Sequence, residues 1–325
     1  MSTTPHTTRG AGRSRRSCLA VPGSNPKMHA KARGLDADQF FLDLEDSVAP
    51  AAKEQARHNI VASLLEGGWG DKVRVVRVND WTTQWTYQDV MTVVGAAGDQ
   101  IDAIMLPKVQ TPGQVEALDL LLTQIEMEKG FDVGAIGIEV QLENALGMVN
   151  LEAIATASAR VETLVYGPAD LMASLNMKSL IVGGQPKGYP ADAYHYILMR
   201  ILMVARANGL QAIDGPFGLI RDIPAFEEAT WRSAALGFDG KWVLHPGQIG
   251  PANSIFSPAQ EEYDKAENIL DAYAWYTSPE GGALGAVMLG DDFIDEASRK
   301  MAAVIAAKGR SAGLKRTAAW TRPEP

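Results

Sequence analysis

Between Ser17 and Leu244 the chain repeats one pattern eight times: a short, nearly continuous apolar run, then a longer stretch with apolar residues at helical spacing. The runs are Cys18–Pro22, Gln39–Leu44, Val73–Val78, Ala103–Pro107, Ile136–Leu142, Thr163–Tyr166, Leu210–Ile213 and Trp242–Leu244. A strand that is apolar at every position, not at alternate ones, is buried on both faces, as in a parallel sheet covered by helices. Eight strand-then-helix units predict an α/β fold, a (β/α)8 TIM barrel. A doubly wound open sheet is the alternative, because closure of a sheet leaves no mark in a sequence.

The punctuation agrees. Pro50 opens a helix over 51–66, with Ala56, Ile60, Ala62 and Leu64 on its apolar side and Lys53, Glu54 and Arg57 on the charged side. Thr111-Pro112 suits the start of a helix reaching Lys129, while Asn208-Gly209 and Gly237 stop helices over 192–207 and 223–236. Residues 1–16 hold Arg9, Arg13, Arg15 and Arg16, no acid and almost nothing apolar, which predicts a disordered basic tail. A transit peptide would share the arginines but needs an amphipathic face that this segment lacks. The barrel is assigned to 17–250. Residues 251–325 form a C-terminal helical extension, with helices over 257–276 and 291–308 about a glycine-rich hinge at 278–290, suited to a lid or an oligomer arm.

Composition narrows the function. A formal net charge of −9 argues against a nucleic-acid or anionic-membrane surface, both of which need a cationic face. One cysteine excludes a disulfide framework and a cysteine-based zinc cluster. No apolar run approaches the ~18 residues of a membrane span. A soluble, cytoplasmic protein is expected.

In a barrel the strand C-termini face the active site. Here they carry Asp43, Glu45 and Asp46, then Arg77 and Asn79, Lys108, Glu143, Asp170, Asp214 and His245. Any one of these has a structural explanation, since a carboxylate at a strand end commonly caps a helix. Their coincidence on one rim is harder to explain so, because crowded carboxylates repel and require a cation. Glu143 and Asp170, on adjacent strands, are the best pair of direct ligands, with Asp43, Glu45 and Asp46 placed to hold metal-bound water. All-oxygen ligation favours Mg2+ or Mn2+ over zinc. Arg77 beside that cation suits an enolate or a polarised carbonyl, with Lys108 as its neighbour, which points to carbon–carbon bond making or breaking next to a carbonyl. The chain has no P-loop and no Gly-x-Ser-x-Gly elbow.

The segments CLAVPGSNPKM (18–28), FLDLEDSVAP (41–50), MLPKV (105–109), VQLENALG (140–147), YGPADL (166–171), DGPFG (214–218) and GKWVLHPGQI (240–249) occur in order. Together they resemble the citrate lyase β-subunit-like, HpcH/HpaI aldolase family of metal-dependent acyl-CoA lyases, from about Arg16 to Lys308. The Gly183-Gly184-Gln185 loop, Tyr194-His195-Tyr196 and Lys241-Trp242 are similar to its malyl-CoA/β-methylmalyl-CoA-cleaving branch. The resemblance implies Mg2+ on Glu143 and Asp170, Arg77 as the active-site arginine, and Glu45 and Asp46 bonded to metal-bound water. It also implies Asp295, near Asp291 and Asp292, as a lid acid acting in trans within a homotrimer or homohexamer. A CoA thioester is implied as substrate near Ser24, Asn25 and Lys27, with Asp43, Lys108 and Asp214 also lining the substrate site. The implied reaction is reversible cleavage of malyl-CoA or β-methylmalyl-CoA to glyoxylate plus acetyl-CoA or propionyl-CoA. Citryl-CoA cleavage, malyl-CoA thioester hydrolysis and a non-catalytic binding role are the alternatives.

Overall fold

The structure is a computed structural model that describes residues 13–322. It divides into two compact units, one ending at Phe256 and one starting at Ser257. In the first unit eight parallel strands close in sequence order: β1 (Ser17–Pro22), β2 (Gln39–Asp43), β3 (Val73–Arg77), β4 (Ala103–Leu106), β5 (Gly137–Leu142), β6 (Val161–Tyr166), β7 (Gln211–Asp214) and β8 (Gly240–Val243). The register Cys18↔Trp242 between β1 and β8 seals the ring, which settles the barrel against the open sheet. Around it run α1 (Pro26–Arg33), α2 (Lys53–Glu66), α3 (Thr86–Ala97), α4 (Pro112–Lys129), α5 (Ala145–Val149), α6 (Leu151–Ala155), α7 (Pro168–Ser174), α8 (His195–Ala207), α9 (Ile223–Leu236) and α10 (Ile249–Phe256).

Alternate strand residues face inward. Phe41, Val73, Val75, Met105, Val165, Ile213 and Trp242 fill the middle of the barrel. The opposite set, including Leu42, Val76, Ile104, Val140 and Leu164, packs under the helices. One parity therefore places Asp43, Arg77, Gln141 and Glu143 inside at the C-terminal mouth. The other places Asp214, the neighbour of Ile213, outside.

The expected basic tail needs correction. Residues 1–12 lie outside the described residues, but Arg13, Arg15 and Arg16 are built into the barrel floor. Arg15 is 1% exposed. It donates to Gln39 Oε1 (2.8 Å), Glu162 Oε2 (2.6 Å) and Gln211, and its Nε lies 3.1 Å from Glu139 Oε1. Arg16 forks onto Asp38 at 2.8 Å through both Nε and Nη2. Gly240 makes room for this strap, since a Cβ there would stand 1.7 Å from the Arg15 carbonyl. Buried acids on the strands required cations, and the chain just before β1 supplies them.

Three further differences have local causes. The first unit extends to Phe256, not to 250, because Asn253 of α10 accepts from Ser17 Oγ and donates to Asp36 O, both at 2.7 Å, and Ala252 and Phe256 join the core. Lys53 and Arg57 are buried, not on a solvent face. In the second unit the glycine-rich segment leads into a hairpin of β9 (Val287–Leu289) and β10 (Asp292–Ile294), between α11 (Gln260–Tyr276) and α12 (Glu296–Ser311). The last two helices meet through Ala266, Ala302 and Ala306, and a Cβ on Gly309 would lie 2.2 Å from the Tyr263 ring. Among the described residues no helix is long and apolar enough to cross a membrane.

Candidate active site

The mouth is built around Arg77. It ends β3 facing inward, and its guanidinium forks onto Asp43 of β2, Nε to Oδ1 at 2.7 Å and Nη2 to Oδ2 at 2.8 Å. The Trp242 and Phe41 rings lie 4.9 and 5.8 Å from it. Burial opposes its charge, but Asp43, then Glu45 and Glu143, outweigh burial, so Arg77 holds its proton more tightly than a free arginine. Asp43 is also buried, yet Arg77 holds its carboxyl down at about 2. A carboxylate whose folded-state value lies below its unfolded one adds stability above the unfolded value and loses it as pH falls through the folded value. Urea unfolding is therefore expected to show a contribution of roughly 2 kcal/mol from this pair at pH 5 that fades between pH 4 and 2, at about 1.4 kcal/mol per unit of displacement. A flat acid limb between those values would contradict it.

Glu45 sits above Arg77. Its amide donates to Asp43 Oδ1 (2.9 Å), Lys108 Nζ pairs with its Oε1, and its Oε2 lies 3.1 Å from Arg77 Nη1 without accepting an aligned hydrogen bond. Burial raises the proton affinity of Glu45 against the pull of Arg77 and Lys108. Lys108 also reaches exposed Asp46 (3.3 Å) and Asp170 (3.8 Å). Its φ of 52° is a left-handed conformation unusual for lysine, and it turns the backbone N–H onto Glu143 Oε1 at 2.7 Å.

Glu143, 2% exposed at the end of β5, takes a second bond from Gln141 Nε2 to Oε2 at 2.5 Å. Burial, with Glu45 and Asp170 nearby, pushes its carboxyl up to about 8. Asp170 stands in the first turn of α7, opened by Gly167-Pro168, and is half-exposed. Five carboxylates thus gather with Arg77 and Lys108 as their cations. This donor set fits a hard divalent cation on Glu143 and Asp170: all oxygen, negative in excess, and electrostatically demanding at Glu143. Among the described residues no group of three or more acids, histidines or cysteines closes into a cage. The fit is to a cation whose other positions go to water and substrate.

Gly167 protects this arrangement, because a Cβ there would lie 2.5 Å from both Cβ and Oε2 of Glu143. Gly167→Ala is expected to displace Glu143 and weaken divalent-cation binding by about tenfold or more, read by calorimetric titration. Unchanged affinity would count against Glu143 as a ligand.

Other predicted residues fall elsewhere. Asp214 is 1% exposed and faces outward, its Oδ2 taking a bond from buried Lys241 at 2.5 Å, which removes it from the mouth. Ser24, Asn25 and Lys27 are exposed at the end of β1, and Asn25 caps α1 by accepting from Met28 N. Asp295 caps α12 in the second unit, accepting from Ser298 N at 2.9 Å, while Asp292 pairs with Lys265. His245 accepts from Gly247 N and has a structural role. The sequence reading missed Lys53 and Gln141. The first was hidden by an amphipathic pattern, and the second could have been found because it shares strand parity with Glu143.

Comparison with known proteins bears on the family and the fold. The chain is 38% identical over 296 residues to the L-malyl-CoA/beta-methylmalyl-CoA lyase of Cereibacter sphaeroides, covering 88% of this chain and 92% of that one. It is 36% identical to the malyl-CoA/beta-methylmalyl-CoA/citramalyl-CoA lyase of Chloroflexus aurantiacus, covering 82% and 79%. The crystal structure of the CitE protein of Mycobacterium tuberculosis, in complex with magnesium, acetoacetate and coenzyme A, superposes with a TM-score of 0.69 at 27% identity, over 93% of this chain and 99% of that one. The HpcH/HpaI aldolase/citrate lyase model matches residues 16–246, and with this barrel beneath the match, the chain belongs to that family.

Proposed function

We propose that this protein is a magnesium-dependent carbon–carbon lyase that splits malyl-CoA and β-methylmalyl-CoA into glyoxylate and acetyl-CoA or propionyl-CoA, reversibly. The observation that carries the reading is a buried arginine and an excess of carboxylates converging on one barrel mouth, in a chain 38% identical to a lyase of that name.

Glu143 and Asp170 would hold the ion, with Mn2+ an acceptable substitute. When bound, Mg2+ supplies a point of charge for the carboxylate and hydroxyl of the malyl group. The chain's own residues account for the remaining steps. Glu45, with its raised proton affinity and its Oε2 free of an aligned hydrogen bond, takes the hydroxyl proton, and Asp46 lies beside it. The C2–C3 bond then breaks, its electron pair passing to the thioester as an enolate while the former hydroxyl carbon becomes the aldehyde of glyoxylate. Arg77, held charged beside the Trp242 and Phe41 rings, stabilises the negative charge as it develops. Asp295 exchanges the proton at the enolate carbon. We place Asp295 on the lid of a neighbouring subunit in a homotrimer or homohexamer, with Asp291 and Asp292 as the adjacent acids. Ser24, Asn25 and Lys27 line the path of CoA, Lys27 serving a phosphate. CoA thioesters are anionic and impermeant, so the reaction is assigned to the cytoplasm.

Incubation with malyl-CoA, β-methylmalyl-CoA and citryl-CoA in the presence of Mg2+ tests the reading. Glyoxylate with acetyl-CoA or propionyl-CoA, abolished by EDTA, is the expected product pattern. Oxaloacetate would indicate a citryl-CoA lyase, free CoA with intact malate a thioesterase, and no product a binding subunit.

A further inference from the structure

Lys53 stands where a lysine is least expected. It is the first residue of α2, where the helix dipole disfavours a cation, and it is only 5% exposed. A residue that breaks a local rule at a buried position needs a compensating interaction. Lys53 Nζ donates to Leu44 O at 2.8 Å, Glu45 O at 3.1 Å and Asn79 Oδ1 at 2.6 Å, and lies 4.8 Å from the Trp85 ring centre. Asn79 in turn donates to Leu44 O (3.0 Å) and Asp89 Oδ2 (2.6 Å), and Arg57 holds Asp89 at 2.7 Å. The chain of bonds runs behind the strands, from α2 and α3 to the two peptides that carry Glu45.

Those peptides are fixed on every side. Leu44 N donates to Arg77 O, Glu45 N to Asp43 Oδ1, and Val48 N to Glu45 O. Lys53 provides the one full charge among the groups that hold the two carbonyls. From this clamped backbone the Glu45 side chain reaches into the mouth, where Oε2 is buried beside Arg77 Nη1.

We propose that Lys53 is a positioning residue that acts on the reaction through Glu45, by clamping the Leu44 and Glu45 carbonyls from behind the barrel. The inference rests on the lyase reading and assigns a further residue to it. A displacement near 1 Å at a reacting group can lower a rate by about 10²-fold, so the clamp has kinetic weight although it touches no substrate.

A double-mutant cycle tests this, using the full chain with Mg2+ and malyl-CoA. Lys53→Met is expected to lower kcat by about 10- to 100-fold with KM within about twofold of wild type. Lys53→Arg is expected to recover part of the loss, and Glu45→Gln/Lys53→Met to be no slower than Glu45→Gln alone. Additive losses in the double variant, or wild-type kcat in folded Lys53→Met, overturn the proposal and leave the lyase reading intact. Lys53→Gln, which keeps an N–H donor group but no charge, replaces Lys53→Met if the latter does not fold. A wild type that cleaves no thioester overturns the lyase reading instead. Mn2+ affinity, followed by electron paramagnetic resonance, then decides the positioning role: weaker binding in Lys53→Met supports it, and equal binding, or none in the wild type, overturns it.

Discussion

Glu143→Ala is expected to lower the rate of thioester cleavage by about 10³-fold or more, on the scale of losing a charge-stabilising group in a dry site. The substitution removes the buried oxygen ligand and also undoes the geometry around it. Lys108 N and Gln141 Nε2 lose their acceptor, and Lys108 loses the bond that accompanies its left-handed backbone. Cation affinity should fall together with kcat. Stability should not fall in parallel, because Glu143 is a buried acid pushed up to about 8, a position that opposes its own charge. Steady-state kinetics, calorimetric Mg2+ titration and a thermal melt separate the three. Full cleavage activity with Mg2+ present would exclude Glu143 from the site, and Asp170→Ala makes the same test from the first turn of α7.

Arg15→Met acts at the other end of the barrel and on stability. It leaves Glu139 and Glu162 buried without their shared cation, and breaking a buried ion pair from one side costs about 3–5 kcal/mol. Burial already raises the proton affinity of Glu139, so the unanswered acid would be expected to protonate instead of staying charged. Urea denaturation should show the loss, and adding Glu139→Gln should return part of it by removing one of the stranded charges. A melt within about 0.5 kcal/mol of wild type, the range of ordinary surface substitutions, would mean that the strap does not hold the floor.

The parts of this molecule that could be read from its sequence were those with local causes. The eight strands fall within two residues of the predicted runs, because two-sided burial writes itself as continuous apolar sequence. The mouth acids and Arg77 were legible for a related reason: a polar residue ending such a run has few places to go. Arg15 was not legible, since its partners lie 24 to 196 residues away and its own neighbours look like a tail. Lys53 and Arg57 were misread because a helix buried on two sides, against the sheet and against α3, still shows only one apolar stripe. Asp214 was misread by parity, since one residue of register decides whether a strand-end acid meets the substrate or a buried lysine. The β9–β10 hairpin was hidden by glycines that suggested a hinge and form part of a turn.

The strap before β1 also bears on where the protein can be cut. The family match begins at residue 16, and a truncation made there would look conservative. It would leave the second unit and every mouth residue intact while removing Arg15, the one cation shared by Glu139 and Glu162, and the contacts Arg13 makes with Asp102 and Glu162. Shortened proteins starting at Arg16 would then be recovered poorly or in aggregates, for reasons unrelated to the chemistry at the mouth. The first residue worth keeping at the N-terminus is Arg13, ahead of the first strand by four positions.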